Sequence, residues 1–162
     1  MAIPVTRERI DYGSLDGSAL FGAALQVIDP TGTARTLLRS ESGALCVFAT
    51  AAGQAFTLPA INARDVGMYF DFVATITGTG TYSVATDAAT TFIGGGVDYS
   101  STAVAEGGDT FAADRTASVA FTADSDVTGR LNGTHFRMVA LSTTIWSISG
   151  TMMGVGTGTT PF

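Results

Sequence analysis

Lysine is absent from this 162-residue chain; all eight basic residues are arginine, against fourteen acidic ones, for a net charge of −6. Nucleic-acid binding needs clustered Lys and Arg against phosphate, and here only Arg7 and Arg9 fall close together, so that class is set aside. Charged residues of either sign make up only 14%. Surface helices are normally rich in Lys, Glu and Gln, and no stretch has that character. The single cysteine, Cys46, excludes an intrachain disulfide framework and reads as a small core residue. No apolar run approaches the ~20 residues of a membrane helix. Met1–Asp11 is polar, without the apolar core of a signal peptide, so a protein made in a cytoplasm and soluble until it assembles is the expectation, and 162 residues with an initiator Met read as a complete small protein.

Alternation is what the chain has instead. Met68, Phe70, Phe72, Ala74 and Ile76 interleave with Tyr69, Asp71, Val73 and Thr75, the two-residue period of a strand with one buried face. Around it stand a strand over 44–50, a strand with Phe56 and Leu58 that Pro59 ends, and a fourth over Tyr82–Ala85 after Gly78-Thr79-Gly80. The spine 44–85 therefore reads as a β-meander. Upstream, Leu20–Asp29 and Thr33–Arg39 form two strands joined by Pro30-Thr31-Gly32. Downstream, Phe92 and Ile93 lead into Gly94-Gly95-Gly96, a bend or a close backbone approach. Ser100–Arg115 reads as a long surface loop, and Ala117–Ala123 as a short strand. Asn132-Gly133 predicts a hairpin between 127–131 and 134–141, and Ser142-Thr143-Thr144 a second one leading into Ile145–Ser149.

These elements predict an all-β fold, an antiparallel β-sandwich or jelly-roll-like barrel. Its parts are an extended N-terminal arm (1–19), a β-domain (20–150) and a Gly/Thr-rich C-terminal tail (151–162). The arm has too few apolar residues to fold alone. Ile3, Val5, Arg7, Arg9, Ile10 and Tyr12 are its candidate interface residues, with both arginines on one face of an extended chain, suited to carboxylates on a partner.

Catalytic and ligand-binding patterns are weak. A triad would have to use His135, whose neighbours Thr134 and Arg137 offer no carboxylate. Asp71, Asp109 and Asp114 are the acids available for paired-carboxylate hydrolysis, and nothing in their spacing joins them. Asp124-Ser125-Asp126-Val127-Thr128-Gly129 copies the start of a calcium loop, but its twelfth position is His135, so a turn closed by its own aspartates is the better reading. Gly154-Val155-Gly156-Thr157-Gly158 lacks the lysine of a phosphate loop. Asn132-Gly133-Thr134 is a glycosylation sequon without a secretory route. Trp146 with Tyr69 and Tyr82 could form a sugar platform, or be core and rim aromatics. The expectation is a protein that is not an enzyme and needs no cofactor or metal.

Two stretches carry a resemblance. SESGALCVFATAAGQAFTLPAINARDVGMYFDFVATITGTGTYSV and THFRMVALSTTIWSISG resemble segments of small structural proteins of tailed phages. In those, an (S/D)-x-G turn leads to a strand, an (I/F)-T-L-P strand, a loop ending in Gly and a long apolar strand, and a Trp-containing hairpin closes the domain. The pattern occurs in head decoration (cement) proteins and in some tail-fibre proteins. It implies a capsid decoration protein on the virion, assembled in the host cytoplasm. Its partners would be the major capsid protein and copies of itself, as a trimer in the first instance or a dimer. The alternative it implies is a tail-fibre or receptor-binding, glycan-binding β-domain.

Overall fold

The computed structural model describes residues 26–29, 32–103 and 108–162. The arm, and with it Ile3, Val5, Arg7, Arg9, Ile10 and Tyr12, lies outside the described residues. So does most of the strand expected at 20–29.

Eleven strands form: β1 (Val27–Ile28), β2 (Ala34–Thr36), β3 (Leu45–Phe48), β4 (Gln54–Thr57), β5 (Tyr69–Ala74), β6 (Tyr82–Ala85), β7 (Phe92–Ser101), β8 (Asp109–Ala113), β9 (Ala120–Ala123), β10 (His135–Ser142) and β11 (Ile145–Gly154). The only helical turn among the described residues is a 3-10 turn at Arg39–Glu41. The fold is all-β, in two mixed sheets. A seven-stranded sheet has the order β1-β3-β5-β10-β11-β7-β8 and a four-stranded sheet the order β2-β4-β6-β9. No barrel closes among the described residues.

The pairing overturns the antiparallel meander. From β1 to β6 the chain changes sheet at every step, so β1, β3 and β5 pair in parallel in one sheet, and β2, β4 and β6 pair in parallel in the other. The reason lies in the corners. After β3, Gln54 turns its buried side chain back so that Oε1 accepts the Ala49 and Thr50 N–H groups, and the chain bends across to the opposite sheet. The next corner stacks on this one: the Thr79 and Gly80 N–H groups both donate to the Ala51 carbonyl. A Cβ on Gly80 would sit only 1.9 Å from the Ala52 oxygen, so this stacking requires glycine. At the base of β2 the buried Glu41 pairs with Arg35 and accepts the Leu38 N–H at 2.8 Å, so its charge is compensated.

The second half uses hairpins. β10 and β11 pair antiparallel from His135↔Thr151 to Ser142↔Ile145, as the Ser142-Thr143-Thr144 turn predicts. Of the two readings of Gly94-Gly95-Gly96, the close backbone approach holds and the bend does not: the run lies inside the ten-residue β7, where a Cβ on Gly95 would meet the Ile148 carbonyl at 2.3 Å. Two other expectations change. Ser100–Arg115 is not one loop, because Asp109–Ala113 forms β8. Residues 127–131 form no strand, although Gly133 does turn the chain with φ +96°.

The stretch read as a tail is not an appendage. Residues 151–154 continue β11, the Thr122 N–H donates to the Pro161 carbonyl, and Phe162 meets Phe121 edge-on at 6.2 Å. Between the sheets lies an aromatic core. Phe48, Phe72 and Phe136 come from the larger sheet, and Phe56, Tyr82 and Phe121 from the smaller. Ring centroids are 4.4 Å apart for Phe121–Phe136 and 5.6 Å for Phe56–Phe72.

Candidate functional site

Every inward side chain of the larger sheet leaves an outward neighbour on its other face. Along β5, Phe70 and Phe72 are buried, so Tyr69, Asp71 and Val73 point out. Along β10, Phe136 and Met138 are buried, so His135, Arg137 and Val139 point out. Registry places Asp71 opposite Arg137 and Val73 opposite His135, with Leu45 beside Asp71 on β3 and Ser149 beside Arg137 on β11.

Arg137 grips both oxygens of Asp71, at 2.7 and 2.8 Å, and its guanidinium carbon stands 4.5 Å above the centre of the Tyr69 ring. The hydrogen bonds to Asp71 raise the guanidinium pKa above its ordinary value. The group is thus charged, fixed in direction by a bidentate fork and a ring face, and still half-exposed. Beside it opens a shallow depression of about 420 Å³ between Leu45, Val73, His135 and Ser149, with Gly150 also in its lining.

The structure scatters the chemical candidates. His135 is exposed, and its Nδ1 lies 3.0 Å from the Gly133 carbonyl rather than near a carboxylate. Asp71 and Asp109 stand on strands separated by β10, β11 and β7, about 19 Å apart at the usual strand spacing, too far to share a cleft. Asp114 accepts from the Thr116 hydroxyl and N–H, which hold its carboxyl below the ordinary value.

The Asp124–Gly129 segment closes on itself, but through the Thr128 hydroxyl and not, as expected, through aspartates accepting backbone N–H groups. Thr128 Oγ1 receives the Asp124 and Ser125 N–H groups at 2.9 and 2.8 Å, and Arg130 binds the Asp126 carboxylate at 2.9 Å. A guanidinium therefore sits where a cation would be needed. Among the described residues no three His, Cys, Asp or Glu side chains gather as metal ligands. The aromatic platform does not assemble either: Trp146 and Tyr82 are core residues, and only Tyr69 reaches the surface, beneath Arg137. In the sequon, the Thr134 hydroxyl is buried, donating to the Gly129 carbonyl and accepting the Met153 N–H. No described helix is long and apolar enough to cross a membrane.

Sequence reasoning missed the Tyr69–Arg137–Asp71 group. Each residue alternates correctly in its own strand, but 66 positions separate Asp71 from Arg137. No family model and no curated protein matches the chain.

Proposed function

We propose that this chain is a structural protein of a tailed-phage virion, a capsid decoration or cement protein that acts without catalysis. The observation that carries this reading is the outward face of the seven-stranded sheet. It presents Leu45, Tyr69, Val73 and Val139, partly exposed, around one charged group already locked in place by Asp71. Tyr and Arg are the side chains enriched where proteins meet, and a pre-fixed Arg loses little freedom on docking. The two facing sheets, read as a β-sandwich, form a stiff plate that can lie against a larger protein surface. The resemblance of Ser40–Val84 and Thr134–Gly150 to phage structural proteins names that surface as the major capsid protein. The arm residues Ile3, Val5, Arg7, Arg9, Ile10 and Tyr12 belong to this reading as a second contact. Each contact can be weak, because many copies on one shell act together.

The tail-fibre alternative is less favoured, since Trp146 and Tyr82, the aromatics it would turn toward a glycan, are buried. The test is to add purified protein to heads assembled without it and to count bound copies by quantitative mass spectrometry. Hundreds per particle are expected, with occupancy at least roughly tenfold lower for Val73→Arg. A handful of copies confined to the tail would replace this reading by the fibre one, and no binding to either would remove both.

A further inference from the structure

The larger sheet ends on β8, and no described strand pairs with the outer side of that edge. Which backbone groups it offers follows from β7. The Phe92 N–H bonds the Thr144 carbonyl and the Thr102 N–H bonds the Gly154 carbonyl, so the even-numbered residues of β7 face β11. Its odd-numbered residues face the other way, and the Ile93 N–H accordingly reaches the Ser118 carbonyl. Gly95, Val97 and Tyr99 are registered with Ala113, Phe111 and Asp109, which therefore spend their backbone groups on β7. The N–H and C=O of Thr110 and Ala112 point outward.

Natural edges are blunted by Pro, Lys, bulges or brevity. The other edges are short or engaged: β1 has two residues, β2 three, and the N–H of Thr122 on β9 is taken by Pro161. β8 has five residues, no proline or basic residue, and a register with β7 free of shifts.

We infer that β8 pairs antiparallel with β8 of a second copy of this chain, making a two-fold dimer with a continuous fourteen-stranded sheet. The sequence of the edge is self-complementary in one register. With Phe111 opposite its own copy, Thr110 meets Ala112 of the partner in a hydrogen-bonded pair, and the two-fold repeats it, so four outward groups on each strand are satisfied. Asp109 then faces the small, uncharged Ala113, and the two Asp109 carboxylates stand four positions apart. Shifting the centre to Thr110 would bring those carboxylates to diagonal neighbours, with like charges opposed. Phe111, half-buried against Tyr99, gains its symmetry mate across the non-hydrogen-bonded position on the axis, where side chains approach closest. The geometry favours a dimer over the trimer implied by the resemblance, and it stands independently of the capsid reading.

The experiment is sedimentation of the purified full chain, with hydrogen exchange read at concentrations above and below dimerisation. The wild type is expected to sediment as a dimer whose Thr110 and Ala112 amides lose protection on dilution. Ala112→Pro removes one outward N–H per copy at an edge that tolerates proline, and should weaken the dimer roughly thirtyfold while leaving the melting transition in place. Should that variant not fold, Phe111→Cys provides the second arm: it should form an intermolecular disulfide under mild oxidation, the native Cys46 being buried. A monomer at every concentration, a trimer, or a dimer whose Thr110 and Ala112 amides exchange freely would overturn the inference.

Discussion

Phe72 of β5 and Phe136 of β10 are directly opposite in register and stack with ring centroids 5.0 Å apart, 19° from parallel. Phe72 also touches Phe48 and Phe56, so one ring joins the parallel half of the domain, its hairpin half and both sheets. Phe72→Ala should therefore cost on the order of 3–5 kcal/mol, read as a lowered midpoint in denaturant melts. A loss below about 1 kcal/mol would mean that the core closes around the gap and that the ring is not the junction described.

The glycine run of β7 separates two kinds of small residue. A Cβ on Gly94 would meet the flexible Arg115 side chain, which can swing away. A Cβ on Gly95 would lie 2.3 Å from the Ile148 carbonyl, at a φ of +101°. Gly95→Ala should destabilise by roughly 1–3 kcal/mol or more, and Gly94→Ala by well under that, in the same thermal melts. Equal costs would contradict the assigned β7–β11 packing.

Cys46 is fully buried, and burial, aided by nearby Glu41, pushes its thiol up to about 12. Tyr82 is raised in the same direction by burial. For both groups the unfolded chain releases its proton first, so their protonated forms favour the fold; for Cys46 that stability is whole below pH ~9 and falls as pH rises toward 12, by up to about 1.4 kcal/mol per pH unit, and Tyr82 adds to the loss in the same direction. A melting temperature followed from pH 7 upward should turn down near pH ~9, and Cys46→Ala should flatten the first part of that fall. The native thiol should also resist alkylating reagents at pH ~8 until the protein is denatured.

Thr128 holds the Asp124–Gly129 turn through its hydroxyl, which takes two backbone N–H groups. Thr128→Val should cost about 1–3 kcal/mol by leaving those donors without their acceptor. A chelator should leave the melting temperature unchanged. A chelator-induced drop, restored by calcium, would revive the loop as a metal site.

The core of the described residues runs from Ile28 to Met152. Deleting residues 1–12 should leave a domain that melts cooperatively but no longer occupies capsids, because Arg7, Arg9 and their apolar neighbours are assigned to the partner. Retained occupancy would remove the arm from the interface, and loss of the melting transition would place it in the fold.

Side-chain period was enough to locate most strands from the sequence. Phe70 and Phe72 in with Asp71 out, Tyr82–Ala85 as a strand, and the turn between β10 and β11 all follow from alternation and turn chemistry, which are local. Alternation states which face of a strand is buried and nothing about which strand lies beside it. A meander and a chain that crosses between two sheets at every corner carry the same pattern from Ala44 to Ala85. The choice between them rests on Gln54 folding back on Ala49 and on the Gly80 corner stacking over Ala51, contacts that exist only once the sheets face each other. β8 was illegible for a related reason: Asp109–Ala113 has little alternation of its own, and its strand is templated by β7. The Tyr69–Arg137–Asp71 group required β5 and β10 to be neighbours in one register, a fact of tertiary pairing that no local spacing encodes.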